Sequence, residues 1–158
     1  MPRKLPKVLK DEIDEKQSVR IPSKLPKVLR DAIDDDVLSL AIDMNDMHAV
    51  IEITGCVHPK TMNVAPAVQR LIERAGSYTE YVPRSEGIRI IGRSFGQTID
   101  LDCDGDSSDL ADFTVSIYRR CDRWVAISGI PIVDRPFRNI DGIIDELMEE
   151  MQLHLHLH

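Results

Sequence analysis

The stretch GSYTEYVPRSEGIRIIGRS, Gly76 to Ser94, decides how the chain is read. Ile88, Ile90 and Ile91 make a short β-favouring run, entered through Pro83-Arg84-Ser85-Glu86-Gly87 and left at Gly92. An echo follows at Val115 to Gly129, VSIYRRCDRWVAISG. There Val115–Tyr118 and Trp124–Ser128 read as two strands joined by Arg119-Arg120-Cys121-Asp122-Arg123, a hairpin with a basic tip. Both pieces pair strand-forming residues with a polar site.

Working outward, Asn63 precedes Val64, Val68, Leu71, Ile72 and Ala75, a helical stripe with Pro66 in its first turn and Gly76 as its stop. Upstream, Val37–Ile42 and Ala49–Ile53 are strand candidates around the polar turn Asp43-Met44-Asn45-Asp46. The period of two puts Glu52 and Thr54 on one face of the second strand. Downstream, Asn139 caps Ile140, Ile143, Ile144, Leu147, Met148 and Met151, an amphipathic helix with acids on its outer face. Asp100, Asp102 and Asp104 with Gly105 imitate the start of a calcium loop, but Ala111 stands where its bidentate Glu belongs. Asp100 to Asp109 therefore reads as a solvated aspartate loop.

At the N-terminus, Pro2–Asp14 returns as Pro22–Asp34, each copy a short amphipathic helix. Two copies are too few for a solenoid, and they suit either a local duplication or an arm that docks on a protein partner. The alternating Leu153-to-His158 end reads as an appended or frayed tail and is set outside the fold.

The 158 residues and 42% apolar content suffice for one core, and no stretch approaches a membrane span. The beginning, MPRKLPKVLK, has no long apolar segment, so no secretion signal is expected. Cys56, Cys103 and Cys121 are widely spaced with no CxxC pair, which suits a reducing cytoplasm. A net charge of −7 argues against a general nucleic-acid glue. Its distribution still leaves two basic blocks, Arg70 to Arg93 before and Arg119 to Arg138 between the acidic stretches 94–116 and 139–152. A phosphate-binding face and a simply solvated mixture of charges both fit that pattern.

In order, the chain carries a strand with acidic positions, a helix, Ser77-Tyr78-Thr79-Glu80, Pro83, Gly87-Ile88-Arg89-Ile90-Ile91-Gly92, Ile117-Tyr118, Arg123 through Ser128-Gly129, and a final amphipathic helix. Over roughly Val50 to Met151 this order resembles the primase-polymerase (archaeo-eukaryotic primase) family of phages and plasmids. In that family S-Y-T-E-x-S-P-S-G-x-G-[LI]-[HR]-I is followed by E-[IL]-Y and then R-[YF]-x-T-x-[TS]-G.

The resemblance implies nucleotidyl transfer with two divalent ions, Mg2+ or Mn2+, held by clustered carboxylates. It puts Glu52 at the first catalytic and metal-binding acid, Thr54 at the second and Ser116 at the third. Ser85 and Arg89 fall in the segment that grips a triphosphate, where Arg84-Ser85 replaces Ser-Gly and Arg89 replaces His. Arg123 joins them as a candidate contact to nucleotides or to single strands of DNA or RNA. Plain roles suit the same side chains: a surface strand position for Glu52, ion pairs for Arg89 and Arg123, packing for Trp124.

The expectation is thus an α/β (α+β) domain over residues 37–152, a small mixed sheet flanked by helices. Duplicated segments over residues 1–36 form short N-terminal helices, and 153–158 is a tail. Its expected function is nucleic-acid or nucleotide association by a degenerate primase-polymerase-like domain without catalysis. One rival is an active enzyme using Asp100, Asp102 or Asp112 instead; the other is an acidic protein–protein interaction module.

Overall fold

Alternation along His48–Thr54 sets the architecture: Ala49, Ile51 and Ile53 face one side of the strand, while Val50, Glu52 and Thr54 face the other. The computed structural model describes residues 40–45, 47–104 and 113–156. Its elements are β1 (Leu40–Asp43), β2 (His48–Thr54), α1 (Pro66–Ala75), β3 (Thr79–Val82), a 3-10 turn (Pro83–Ser85), β4 (Gly87–Arg93), β5 (Ile99–Asp104), β6 (Thr114–Arg119), β7 (Trp124–Ile127), β8 (Pro131–Val133) and α2 (Asp141–His156). This is an α+β fold with a sheet flanked by two helices. The duplicated N-terminal segments and Asp112 lie outside the described residues.

Six strands form the main sheet in the order β5-β6-β2-β4-β3-β8, and β1 and β7 pair as a separate two-stranded ladder. Every ladder is antiparallel, and the expected mixing of strand directions is confined to an isolated parallel bridge between Arg93 and Asn139. One face of the main sheet presents Ile51, Ile53, Ile88, Ile90, Val115 and Ile117 to Val68, Leu71 and Ile72 of α1 and Ile144, Leu147 and Met151 of α2. The opposite face presents Val50 and Ile91, which join Tyr78 and Phe137 against Ile42, Val125 and Ile127 of the small ladder. Three layers result, with one apolar cluster in each gap.

The helix limits follow their sequence signals. Gly76 adopts the left-handed conformation and returns its N–H to the Ile72 carbonyl. Asn139 Oδ1 accepts the Asp141 amide at 2.8 Å, as its place before α2 suggests.

Three expectations are corrected. Val115–Tyr118 and Trp124–Ser128 do not pair as a hairpin. Both edges of β6 are occupied, by β2 and β5, so β7 has no edge to join and instead pairs with β1. The reversal between them passes through Arg120, at φ +48. Second, Asp100 to Asp104 is not a loop but part of β5, with Asp100 opposite Tyr118 and Asp102 opposite Ser116. Ile99, Leu101 and Cys103 alternate with those aspartates, a strand period that the calcium-loop spacing masked. Third, the α2 backbone continues through His156, into the segment read as a tail.

The loop after β4 is braced by Asp141. Ser94 Oγ donates to its Oδ1, the Phe95 amide donates to Oδ2 at 2.9 Å, and Arg119 Nη1 lies 3.4 Å from Oδ1. Partial burial alone would raise the Asp141 carboxyl, but these donors outweigh it and hold the group below its ordinary value. A depressed folded pKa gives stability that is present above the unfolded value and lost as pH falls through the folded one. Asp141→Asn is therefore expected to flatten the acid limb of a stability–pH profile below about pH 4, measured by thermal melts.

Gly92 lies where β4 passes the 138–140 segment. A Cβ there would meet the Arg138 carbonyl oxygen at 2.5 Å and Ile140 Cγ2 at 2.7 Å. Gly92→Ala is expected to cost about 1–3 kcal/mol through overpacking, read from urea midpoints. An unchanged midpoint would show that the segment yields freely.

Candidate functional site

Strand register assembles a polar row across the face opposite the helices. Glu52 of β2 stands opposite Ser116 of β6 on one side and Arg89 of β4 on the other, and Arg89 stands opposite Glu80 of β3. On the far side of Ser116 the row reaches Asp102 of β5. Thr54, two residues on from Glu52, shares its face and pairs with Thr114. Glu52, Thr54, Arg89 and Ser116 thus occupy one face of one sheet.

The chemistry of the row centres on Glu80. Its side chain is 0% exposed, and a buried carboxylate must be paired and hydrogen-bonded to stay charged. Arg89 Nη1 donates to its Oε2 at 2.9 Å, and the Ser128 amide donates to the same oxygen at 2.8 Å. Oε1 accepts from the Tyr78 hydroxyl at 3.0 Å and the Gly129 amide at 3.3 Å. Burial, and then the Glu80 charge beside it, pushes the Tyr78 phenol far above its ordinary range, so it remains a donor.

Arg89 is held on several sides. Besides Glu80, its Nε donates to Glu52 Oε2 at 3.2 Å and its Nη1 to the Ala126 carbonyl on β7. The guanidinium side chain is only 8% exposed. In this geometry Arg89 ties β4 to β3, β2 and β7, and its donors point at protein acceptors.

The remaining sequence candidates have partners of their own. Ser85 Oγ donates to the Val82 carbonyl at 3.3 Å, and its own carbonyl accepts the Gly55 amide, which docks the 3-10 turn beside the end of β2. Arg123 lies over the Tyr118 ring at 4.7 Å and forms an ion pair with Asp100 at 2.7 Å. Ser85 carries no charge and Arg89 is buried, so of the three only Arg123 presents a charge to solvent. Trp124 is half-buried and pairs with Asp43 in the small ladder.

Glu80 was not singled out from sequence as a site residue, although it lies within the quoted Ser77–Glu80 motif. The available signal was a lone acid inside the strand-forming run Tyr78–Val82, with a single arginine, Arg89, inside the isoleucine run nine residues later.

A shallow, mainly apolar cleft of roughly 200 Å³ lies beside the 3-10 turn, lined by Val57, Met62, Tyr81, Pro83 and Glu86 among others. The Cys56 thiol donates to the Ile53 carbonyl, and burial pushes it up to about 11, which disfavours the nucleophilic thiolate. Among the described residues, no group of three or more His, Cys, Asp or Glu is arranged to hold a metal ion. No described helix is long and apolar enough to cross a membrane.

No protein-family model matches the chain, and no curated protein matches it.

Removing Glu80 would leave the Arg89 charge buried with Glu52 as its remaining acidic partner among the described residues. Glu80→Ala is expected to cost about 3–5 kcal/mol in unfolding free energy. Glu52 is 23% exposed and meets one edge of the same guanidinium, so Glu52→Ala should cost clearly less. Urea unfolding of both variants checks the ranking, and equal losses would remove Glu80 from the centre of the network.

Proposed function

We propose that this chain is a primase-polymerase-like domain that associates with single-stranded nucleic acid or nucleotides in a cytoplasmic setting and has lost nucleotidyl transfer. The observation that carries the reading is the register of Glu52, Arg89 and Ser116. Motifs far apart in sequence stand opposite one another on three adjacent strands, as the resemblance requires of a shared site.

The loss of chemistry follows from charge. Two divalent ions beside a triphosphate need several carboxylates. Thr54 and Ser116 carry no charge, and Glu52 faces the Arg89 guanidinium at 3.2 Å. A cation bound at Glu52 would have to compete with that arginine. The residues at these positions do not fit a pair of Mg2+ or Mn2+ ions.

A second reading has its own support. Asp102 stands opposite Ser116, which stands opposite Glu52, so β5 brings an acid to the row that the motifs do not supply. An active enzyme would draw on that position.

Extension of a labelled primer with Mg2+ or Mn2+ separates the two. The expected result is no extension by the unmodified chain, together with binding of single strands that weakens as salt rises. Extension that disappears in Asp102→Asn would establish the second reading. Absence of any salt-sensitive binding would overturn the first. Thr54→Asp combined with Ser116→Glu is the constructive variant, since it restores acids at both aligned positions.

A further inference from the structure

Among the described residues, the large apolar side chains left exposed are Met47, Met62 and Phe95. Two of them share one corner of the main sheet. The Ser94 amide donates to the Met47 carbonyl at 3.2 Å, and Phe95 follows at once. On the other side of β2, the Arg120 amide donates to the His48 carbonyl at 3.4 Å. The start of β2, the end of β4 and the end of β6 thus bring Met47, Phe95 and Arg120 together.

Phe95 is 59% exposed on a loop that is firmly built. Its amide is held by Asp141, and Arg119 Nε donates to the Gln97 carbonyl at 2.6 Å. Thr98 Oγ1 donates to the Arg120 carbonyl at 2.9 Å, and Arg120 Nη1 reaches the Gly96 carbonyl at 3.4 Å. The phenyl ring therefore stands in solvent on a braced support rather than on a loose one. Its arginine neighbour holds a left-handed backbone at φ +48, a conformation that costs energy in a non-glycine residue.

Charge selects the partner. Asp141 and Asp145, the acids facing this corner from α2, are engaged by Arg119. Arg120 remains exposed, with its Nη1 3.4 Å from the carbonyl of Gly96, the residue after Phe95. An exposed aromatic face next to a guanidinium matches an unstacked base followed by its phosphate. A duplex offers no free base face.

We propose that Phe95 and Arg120 form a contact site for single-stranded nucleic acid, Phe95 stacking on a base and Arg120 meeting the adjacent phosphate. This rests on the nucleic-acid reading above and gives it a surface distinct from the Glu52–Arg89 row.

The test is fluorescence anisotropy of the full chain with a labelled oligothymidylate of roughly 20 nucleotides, longer than a single site. Phe95→Ala is expected to weaken binding about tenfold or more, and Phe95→Trp to retain it. Arg120→Gly relieves the left-handed strain, so its melting temperature should hold or rise while the salt slope falls by about 0.7. Binding that survives both Phe95→Ala and Arg120→Gly overturns this proposal and leaves the functional reading standing. No binding by the unmodified chain at low salt overturns both. Concentration-dependent self-association in light scattering that Phe95→Ala abolishes, with oligonucleotide binding unchanged, would make the corner a protein contact and also overturn it.

Discussion

The structure depends on a buried carboxylate that joins two sheets. Glu80 sits in β3 of the main sheet, and its acceptors are filled by Arg89 from the neighbouring strand and by the Ser128 and Gly129 amides just beyond β7. A two-stranded ladder alone is marginal in water. The β1–β7 pair is kept in place by an apolar cluster on one side and by this polar tie on the other. Apolar contact is tolerant of sliding, whereas a carboxylate with directed donors is not. The tie therefore sets where β7 lies along the sheet as well as how closely it packs.

That constraint changes the meaning of the residues that suggested a phosphate site. Arg89 lies on the shared face with Glu52 and Ser116, yet its guanidinium is turned inward to Glu80, Glu52 and Ala126. A position suited to gripping a ligand thus serves to hold two layers together. Thr54 and Ser116 on the same face point the same way, since uncharged side chains beside an ion pair carry little desolvation penalty. Outside the row, Arg120 at the corner held by Asp141 and Arg119 is among the basic residues that face solvent.

Much of the architecture was legible locally. The isoleucine run of β4, the Pro66–Gly76 limits of α1 and the Asn139 start of α2 each follow from propensity and capping within a few residues. Even the row was legible in part, because a period of two assigns Glu52 and Thr54 to one face and the motif order aligns Arg89 and Ser116 with them. Reading Asp100 to Asp104 as a loop failed because acid spacing suggested an ion site, while the intervening Ile99, Leu101 and Cys103 carried the strand signal.

By itself, then, the sequence determined β2, β4, α1 and α2, their buried faces and the face on which Glu52 and Thr54 would lie, since these rest on periodicities of neighbouring residues. Tertiary structure alone decided which edges were available for pairing. Trp124–Ile127 follows β6 closely in the chain, but β2 and β5 already occupy both edges of β6, so the segment crosses to β1. It also decided the role of Glu80. A carboxylate in a strand has no meaning until the neighbouring strand brings an arginine and the layer above brings two amides to it, because the cost of burying a charge is set by what surrounds it and not by its place in the chain.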